Sequence, residues 1–176
     1  MKKILFLMVC LFTLGLSVNA QSFEKGDAFF KATVGHSNSD LNKRIGDFLE
    51  NSHGKNYKNM WSGSVEAGKF ITNRLALAVE AERLSTTDVD QMIFNVKAQY
   101  YLYNFYLGGG YSATKLEQKS FKHRGLVELG YVYFLNKSKS LSIEPAVITY
   151  IEPHFKSGDA RFYTDMAFKL GIAIRL

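Results

Sequence analysis

The sequence predicts an all-β chain, an eight-stranded antiparallel up-and-down transmembrane β-barrel. Three observations lead there. The final stretch, RFYTDMAFKLGIAIRL, places Phe162, Thr164, Met166, Phe168, Leu170, Ile172, Ile174 and Leu176 at alternate positions. Arg161, Tyr163, Asp165, Ala167, Lys169, Gly171, Ala173 and Arg175 fall between them. Period-two alternation marks a strand with two unlike faces. It runs about twice the roughly 4–8 residues of a half-buried soluble strand, and a strand tilted across a bilayer needs about 9–11. Second, seven further alternating stretches precede it. Third, the connections alternate between polar, mostly longer segments and short turns.

Composition agrees. Of 176 residues, 14% are aromatic and only two are proline, Pro145 and Pro153. Aromatics suit pleated surfaces and proline interrupts ladders, so many strands are favoured over helices. Mean hydropathy is −0.10. A transmembrane barrel reads that way because lumen-facing residues dilute the lipid-facing ones. The length is that of one domain.

Residues 1–20 form a separate object, a cleaved secretory signal peptide. Met1-Lys2-Lys3 is a basic start, Ile4 to Leu16 is apolar, and Val18-Asn19-Ala20 offers small residues before Gln21. The barrel domain is 21–176. Cys10, the only cysteine, lies in the leader, so the exported chain has neither a disulfide framework nor a thiolate metal site. The formal charge of +6 falls to +4 without Lys2 and Lys3. In an exported protein that excess points to anionic lipid head groups, not to nucleic acid.

Strand one is GDAFFKATVGHS, with Ala28, Phe30, Ala32 and Val34 opposed to Asp27, Phe29, Lys31 and Thr33. A long polar loop, Asn38 to Asn59, follows. Strand two, WSGSVEAGKFI, opposes Trp61, Val65, Ala67 and Ile71 to Ser62, Ser64, Glu66 and Gly68, and Thr72-Asn73-Arg74 turns the chain. Strand three, LALAVEAERLS, opposes Leu75, Leu77, Val79 and Ala81 to Ala76, Ala78, Glu80 and Glu82. After a polar loop at Thr86 to Asp90, strand four, QMIFNVKAQYYL, sets Met92, Phe94, Val96, Ala98, Tyr100 and Leu102 against Asn95, Lys97 and Gln99.

Tyr103-Asn104 is the second short turn. Strand five, FYLGGGYSAT, sets Phe105, Leu107 and Tyr111 against Tyr106, Gly108, Gly110 and Ser112. Lys115 to Lys122 is polar. Strand six, HRGLVELGYVYFL, sets Val127, Leu129, Tyr131 and Tyr133 against Glu128, Gly130 and Val132, and Asn136 to Ser140 is the third turn. Strand seven, LSIEPAVITYIE, sets Leu141, Ile143, Val147, Thr149 and Ile151 against Ser142, Glu144 and Glu152. Pro145 within it predicts a bulge or bend. Pro153 to Asp159 is the fourth polar loop. Long connections on one side and short turns on the other are the asymmetry of an outer-membrane barrel with both termini in the periplasm.

Which face meets lipid follows from charge. Lys31, Glu66, Glu80, Glu82, Lys97, Glu128, Glu144, Asp165, Lys169 and Arg175 share one face with many Gly, Ala and Ser. Such a set makes a poor soluble core, because burying unpaired charge is costly. It suits a narrow lumen in which charges pair. A soluble sandwich or lipocalin-like barrel is the competing architecture, and inward-pointing Phe162, Phe168, Leu170 and Ile172 would establish it.

The stretches FITNRLALAVEAE, YYLYNFYLGGGYSA, GYVYFLNKSKSLSIEPAV and KLGIAIRL, behind a leader ending NA-Q, resemble the outer-membrane-protein beta-barrel domain family. These are small OmpA/OmpX-like barrels, often annotated porin-family. The resemblance spans the mature chain and consists of patterns, not catalytic signatures. It implies outer-membrane lipids and lipopolysaccharide as surroundings, and the barrel-assembly machinery as a partner during biogenesis. Many members end in Phe, which that machinery reads; this chain ends in Leu176.

The ten charges named above are the candidate lumen network. The favoured reading is an ion-paired plug, since eight strands enclose an interior just wide enough for side chains; a selectivity or proton pathway is the alternative. His36, His53, His123 and His154 fall at predicted loops or rims. His36-Ser37, or His154 with Ser157 and Asp159, could imitate the rim groups of lipid-A-modifying barrel enzymes, but no spacing brings a base to a nucleophile. No ligand spacing marks a metal site. Trp61, Tyr100, Tyr101, Tyr103, Tyr106, Tyr131 and Tyr133 read as interfacial girdles. Gly108-Gly109-Gly110, within a strand, marks a bend or a close approach of side chains across the lumen. The loop Asn38 to Asn59, with Lys43, Arg44, Lys55 and Lys58 near Asp40, Asp47 and Glu50, is the favoured place for recognition. The expected function is non-enzymatic, structural or surface-binding, without cofactor, catalytic residues or nucleic-acid partner and with the surface ligand unspecified. A narrow channel for small solutes and a lipid-A-modifying enzyme are the alternatives.

Overall fold

The computed structural model describes residues 23–37, 60–85, 90–115, 122–156 and 159–176, with side chains for all of these except 90, 122, 152–156 and 159–165. The predicted signal peptide, 1–20, and the loop 38–59 therefore lie outside the described residues. Nine strands follow one another: β1 (Ala28–Ser37), β2 (Met60–Phe70), β3 (Leu75–Ser85), β4 (Asp90–Leu102), β5 (Phe105–Lys115), β6 (Lys122–Tyr131), β7 (Tyr133–Phe134), β8 (Leu141–Lys156) and β9 (Asp159–Arg175). Each pairs antiparallel with its neighbour, and β1 pairs with β9 to close the sheet on itself. β6 and β7 are two parts of one stave, so the barrel has eight staves.

Pro145 accounts for that division. Gly130 pairs with Ala146 and Tyr133 with Ile143, three residues further along each strand, so no residue is inserted. The predicted bulge is absent. The ladder lapses opposite a residue that has no N–H to donate, while the register continues unchanged.

The three short turns lie where the sequence places them. Thr72 Oγ1 accepts from the amides of Arg74 (3.2 Å) and Leu75 (3.0 Å). Asn136 Oδ1 accepts from the Leu141 amide at 3.1 Å. Tyr103 holds a left-handed backbone (φ 56°) in the two-residue link between β4 and β5, a conformation that tight hairpins require and that costs a non-glycine residue about 1–3 kcal/mol. At this turn end the start of β1 also meets the last residue: the Ala28 amide donates to Leu176 O and the Leu176 amide to Ala28 O.

The opposite end differs from expectation at one place. Pro153 to Asp159 is not a loop. β8 and β9 continue their pairing to Lys156–Asp159, leaving two residues between them. β1 meets β9 only from Phe168 onward, and β6 meets β8 only as far as Ile151. The β8–β9 hairpin thus extends past its neighbours' described pairing.

The faces fall as the alternation requires. Val65, Val79, Val96, Phe168, Leu170 and Ile172 point outward, each at least half exposed, and Phe30, Leu77, Leu107 and Leu129 join them. The same strands turn Lys31, Glu66, Glu80, Lys97, Glu128 and Lys169 inward. This is the inverse of a soluble barrel. An uninterrupted apolar belt around the wall needs a lipid environment, since soluble monomers seldom expose apolar patches beyond a few hundred Å². Phe162 lies among the residues without a described side chain.

Candidate functional site: the charged interior

Nine of the ten predicted lumen charges lie inside the barrel, all buried. Asp165 pairs with Tyr150 through its backbone, and its side chain is outside the described set. The nine form one chain of alternating sign. Lys169 Nζ contacts Glu82 at 2.9 Å and Glu80 at 2.8 Å. Lys97 Nζ lies 3.0 Å from Glu80 and 2.8 Å from both Glu66 and Glu128. Lys31 Nζ reaches Glu66 at 3.0 Å, Glu144 at 3.6 Å and Glu128 at 3.9 Å. Arg175 pairs with Glu144. Four of the five carboxylates thus sit between two cations. The fifth, Glu82, has Lys169 on one side and accepts from the Tyr150 hydroxyl at 2.6 Å.

The pairing follows from strand order. Lys31 stands directly across from Glu66 on β2. Glu66 stands directly across from Glu80 on β3, a like-charge pair that is unfavourable alone. Lys97, projecting from β4, places its ammonium between them and reaches on to Glu128 on β6. One side chain therefore links four strands across the lumen.

Neutral groups add hydrogen bonds to these carboxylates. Gln99 Nε2 donates to Glu66 at 3.0 Å, Asn95 Nδ2 to Glu80 at 3.0 Å and the Tyr106 hydroxyl to Glu128 at 3.0 Å. Ser64 donates to Glu80 at 2.5 Å and shares a hydrogen bond with Thr33. Moving an ion from water to a protein interior costs several kcal/mol, recovered only when partners surround it. A shared network meets that condition better than isolated pairs.

Apolar side chains cover the network on both sides. Toward the turn end, Phe23, Phe29, Phe70, Tyr101, Tyr106 and Val132 form a buried cluster with Phe134 against it. Phe23, in the lead before β1, stacks on Phe70 at 4.5 Å between ring centroids and meets Tyr101 edge-on at 4.8 Å. The Arg175 guanidinium covers the Phe23 and Phe134 rings at 5.2 and 5.0 Å. Toward the loop end, Leu126, Ile148 and Tyr150 make a smaller cluster. Glycines provide the room: Phe29 pairs across strands with Gly68 and Tyr106 with Gly130. A Cβ at either glycine would collide with the ring.

Two expectations are corrected here. Tyr101 and Tyr106 are not girdle residues; they are buried in the lumen. Their parity carried the signal, since Tyr101 shares a face with Lys97 and Gln99, and Tyr106 with Gly108. The aromatic cap was missed because each of its residues reads alone as an ordinary barrel aromatic. Trp61, Tyr100, Tyr103 and Tyr133 are outward and exposed. In the glycine run, Gly110 is the tightest position: a Cβ there would strike the β4 backbone next to Lys97. The close approach is between adjacent strands, not across the lumen as expected.

His36 and Ser37 fall on opposite faces and form no nucleophile–base pair. The His36 ring lies outside against Trp61, 4.6 Å between centroids, while the buried Ser37 donates to the Met166 carbonyl at 2.6 Å. His123 hydrogen-bonds the Tyr111 hydroxyl on the outer wall. His53, Ser157 and the side chains of His154 and Asp159 are outside the described set. Among the described residues no group of three or more His, Cys, Asp or Glu could hold a metal ion.

No family model and no curated protein matches the sequence. Among the solved structures that resemble the chain are two outer-membrane barrels. The N-terminal β-barrel domain of Pseudomonas aeruginosa OprF is 11% identical, aligns over 89% of this chain and 100% of its own, and has a TM-score of 0.58. The outer membrane protein OprG from Pseudomonas aeruginosa is 12% identical, aligns over 90% of this chain and 99% of its own, and has a TM-score of 0.60. At such identity the likeness is one of fold. The eight-stranded antiparallel architecture is that of the small outer-membrane barrels, as the sequence resemblance implied.

Proposed function

We propose a non-enzymatic outer-membrane barrel whose interior is a closed ion-paired core and whose role is structural or surface-binding. The observation that carries this reading is the pairing of charges across the lumen. Every buried cation of the network has one or more carboxylate partners within 4 Å, and aromatic or aliphatic clusters cover both sides. A permeant ion would have to displace these contacts.

In this reading the turn end, with both termini, faces the periplasm and the longer connections face outward. The apolar belt contacts outer-membrane lipids and lipopolysaccharide. The assembly machinery reads β9, the closing strand. Recognition belongs to the outward connections, 38–59 foremost. The chain needs no cofactor.

Planar bilayers test the closed core. Purified protein is expected to give no stable open-channel conductance. Reproducible large conductance steps from the monomer would overturn it in favour of a narrow channel. Expression of the protein is expected to leave the mass of lipid A unchanged, and a shift abolished by substituting His36 or His154 would replace the reading with an enzymatic one.

A further inference from the structure

The joint that closes the barrel differs from the others. β1 and β9 lie at opposite ends of the described chain, so no turn ties them together. Their ladder runs from Phe29–Arg175 to His36–Phe168, and Ala28 and Leu176 exchange hydrogen bonds at its turn end.

The lead before β1 is anchored on one side of this seam. The Gly26 amide donates to Phe70 O and the Phe70 amide to Asp27 O, both at 2.8 Å. The Lys25 amide donates to Asn73 Oδ1 at 3.1 Å. Asp27 Oδ2 accepts from the Glu24 amide at 3.0 Å, and the Asp27 amide donates to Glu24 O at 3.2 Å. Gly26, with φ at +106°, supplies the backbone bend, a conformation that side chains other than glycine rarely adopt.

The ring of Phe23 crosses to the other side. Phe23 belongs to no strand, yet it is 6% exposed. Besides Phe70 on β2 and Tyr101 on β4, it meets Phe134 on β7 at 6.1 Å and lies under the Arg175 guanidinium of β9 at 5.2 Å. Arg175 in turn pairs with Glu144 and donates to Ser142, both on β8. One ring therefore joins a lead fixed to β2 with the end of β9, and through Arg175 with β8. The walls of its socket come from β2, β4, β7 and β9, which surround it only once β1 and β9 have paired. Interactions absent while a structure forms slow its unfolding and leave its folding rate alone.

We propose that the lead is a clasp: Phe23 locks the β1–β9 seam after the barrel has closed and seals the turn-end mouth of the lumen. Its release is a step in opening the barrel, not in forming it.

Unfolding and refolding rates in detergent micelles test this, read after urea jumps from Trp61 fluorescence and heat-modifiable gel mobility. Phe23→Ala is expected to unfold at least about tenfold faster and to refold within about threefold of the unaltered rate. Gly26→Val leaves the socket intact and strains only the bend, since no atom lies within 4 Å of the added Cβ. It is expected to speed unfolding in the same sense, again without slowing refolding. Amide exchange, followed by NMR, locates the effect. In Phe23→Ala the Ala28 and Leu176 amides are expected to exchange at least about tenfold faster, while amides between β3 and β4 keep their protection. Leu126→Ala, which opens a cavity in the loop-end cluster, is expected to leave both seam amides protected. Refolding of Phe23→Ala that is slower than this or abolished, an unfolding rate that neither variant raises, or equal loss of protection at the seam and between β3 and β4 would overturn the proposal.

Discussion

Replacing Lys97 by methionine should be the most damaging single change in the lumen. The side chain keeps its length and loses its charge. Lys97 Nζ touches Glu66, Glu80 and Glu128 at 2.8, 3.0 and 2.8 Å, and its side chain is fully buried. After substitution Glu66 and Glu128 share only Lys31, and Glu80 keeps only Lys169. Glu66 and Glu80 then face each other across strands with nothing between them. Removing one partner of a buried ion pair costs about 3–5 kcal/mol. Against a total stability of about 5–15 kcal/mol, the variant is left near its folding limit. The assay is equilibrium urea unfolding in micelles, followed through Trp61 fluorescence and heat-modifiable mobility. Adding Glu128→Gln removes the surplus negative charge, so Lys97→Met/Glu128→Gln is expected to be more stable than the sum of the single changes predicts, by at least about 1 kcal/mol. A loss below about 1 kcal/mol for Lys97→Met, or strict additivity in the double variant, would refute the linked-network account.

Two further outcomes test the packing and the faces. Gly130→Val places a side chain where the Tyr106 ring lies; a loss of about 1–3 kcal/mol or more is expected, partly restored by Tyr106→Ala, and an unfolding midpoint equal to that of the unaltered chain would show that the ring moves aside freely. Val79→Arg sets a charge on the outward belt, where Val79 is 58% exposed; in lipid vesicles it should cost about 2–4 kcal/mol while Val79→Leu costs little, and equal stability of the two variants would remove Val79 from the lipid face.

Parity made most of the fold legible. A residue in a strand has two choices of face, and alternation resolves them all at once, so the inward placement of Glu66, Glu80, Lys97 and Lys169 followed from their neighbours. What parity does not encode is distance across the lumen. Nothing local to Lys97 indicates that its ammonium meets Glu128, 31 residues away, because that contact depends on closure and stagger of the whole barrel. Phe23 was illegible for a related reason: it precedes the first strand and is held only by the rings that close around it. Pro153 misled because a proline among polar residues normally ends a strand. Here β8 continues through it to Lys156, paired with β9, although the pairing of β6 with β8 stops at Ile151.

The two faces also divide the work of specifying the barrel. A one-residue slip between neighbouring strands would turn charges toward lipid, so the apolar belt excludes it strongly. A two-residue slip would preserve every face. The belt resists that poorly, because Val, Leu, Ile and Phe can replace one another against lipid with little change. The interior does discriminate. Slipping β1 against β2 by two moves Lys31 from Glu66 to Ser64 or Gly68, and takes Phe29 off the glycine that makes room for its ring. Slipping β5 against β6 takes Tyr106 off Gly130 in the same way. Buried ionic groups are best attested as devices for fixing register rather than as sources of net stability. In this barrel the charges and the ring-on-glycine pairs supply the part of the register that a uniform apolar exterior leaves open.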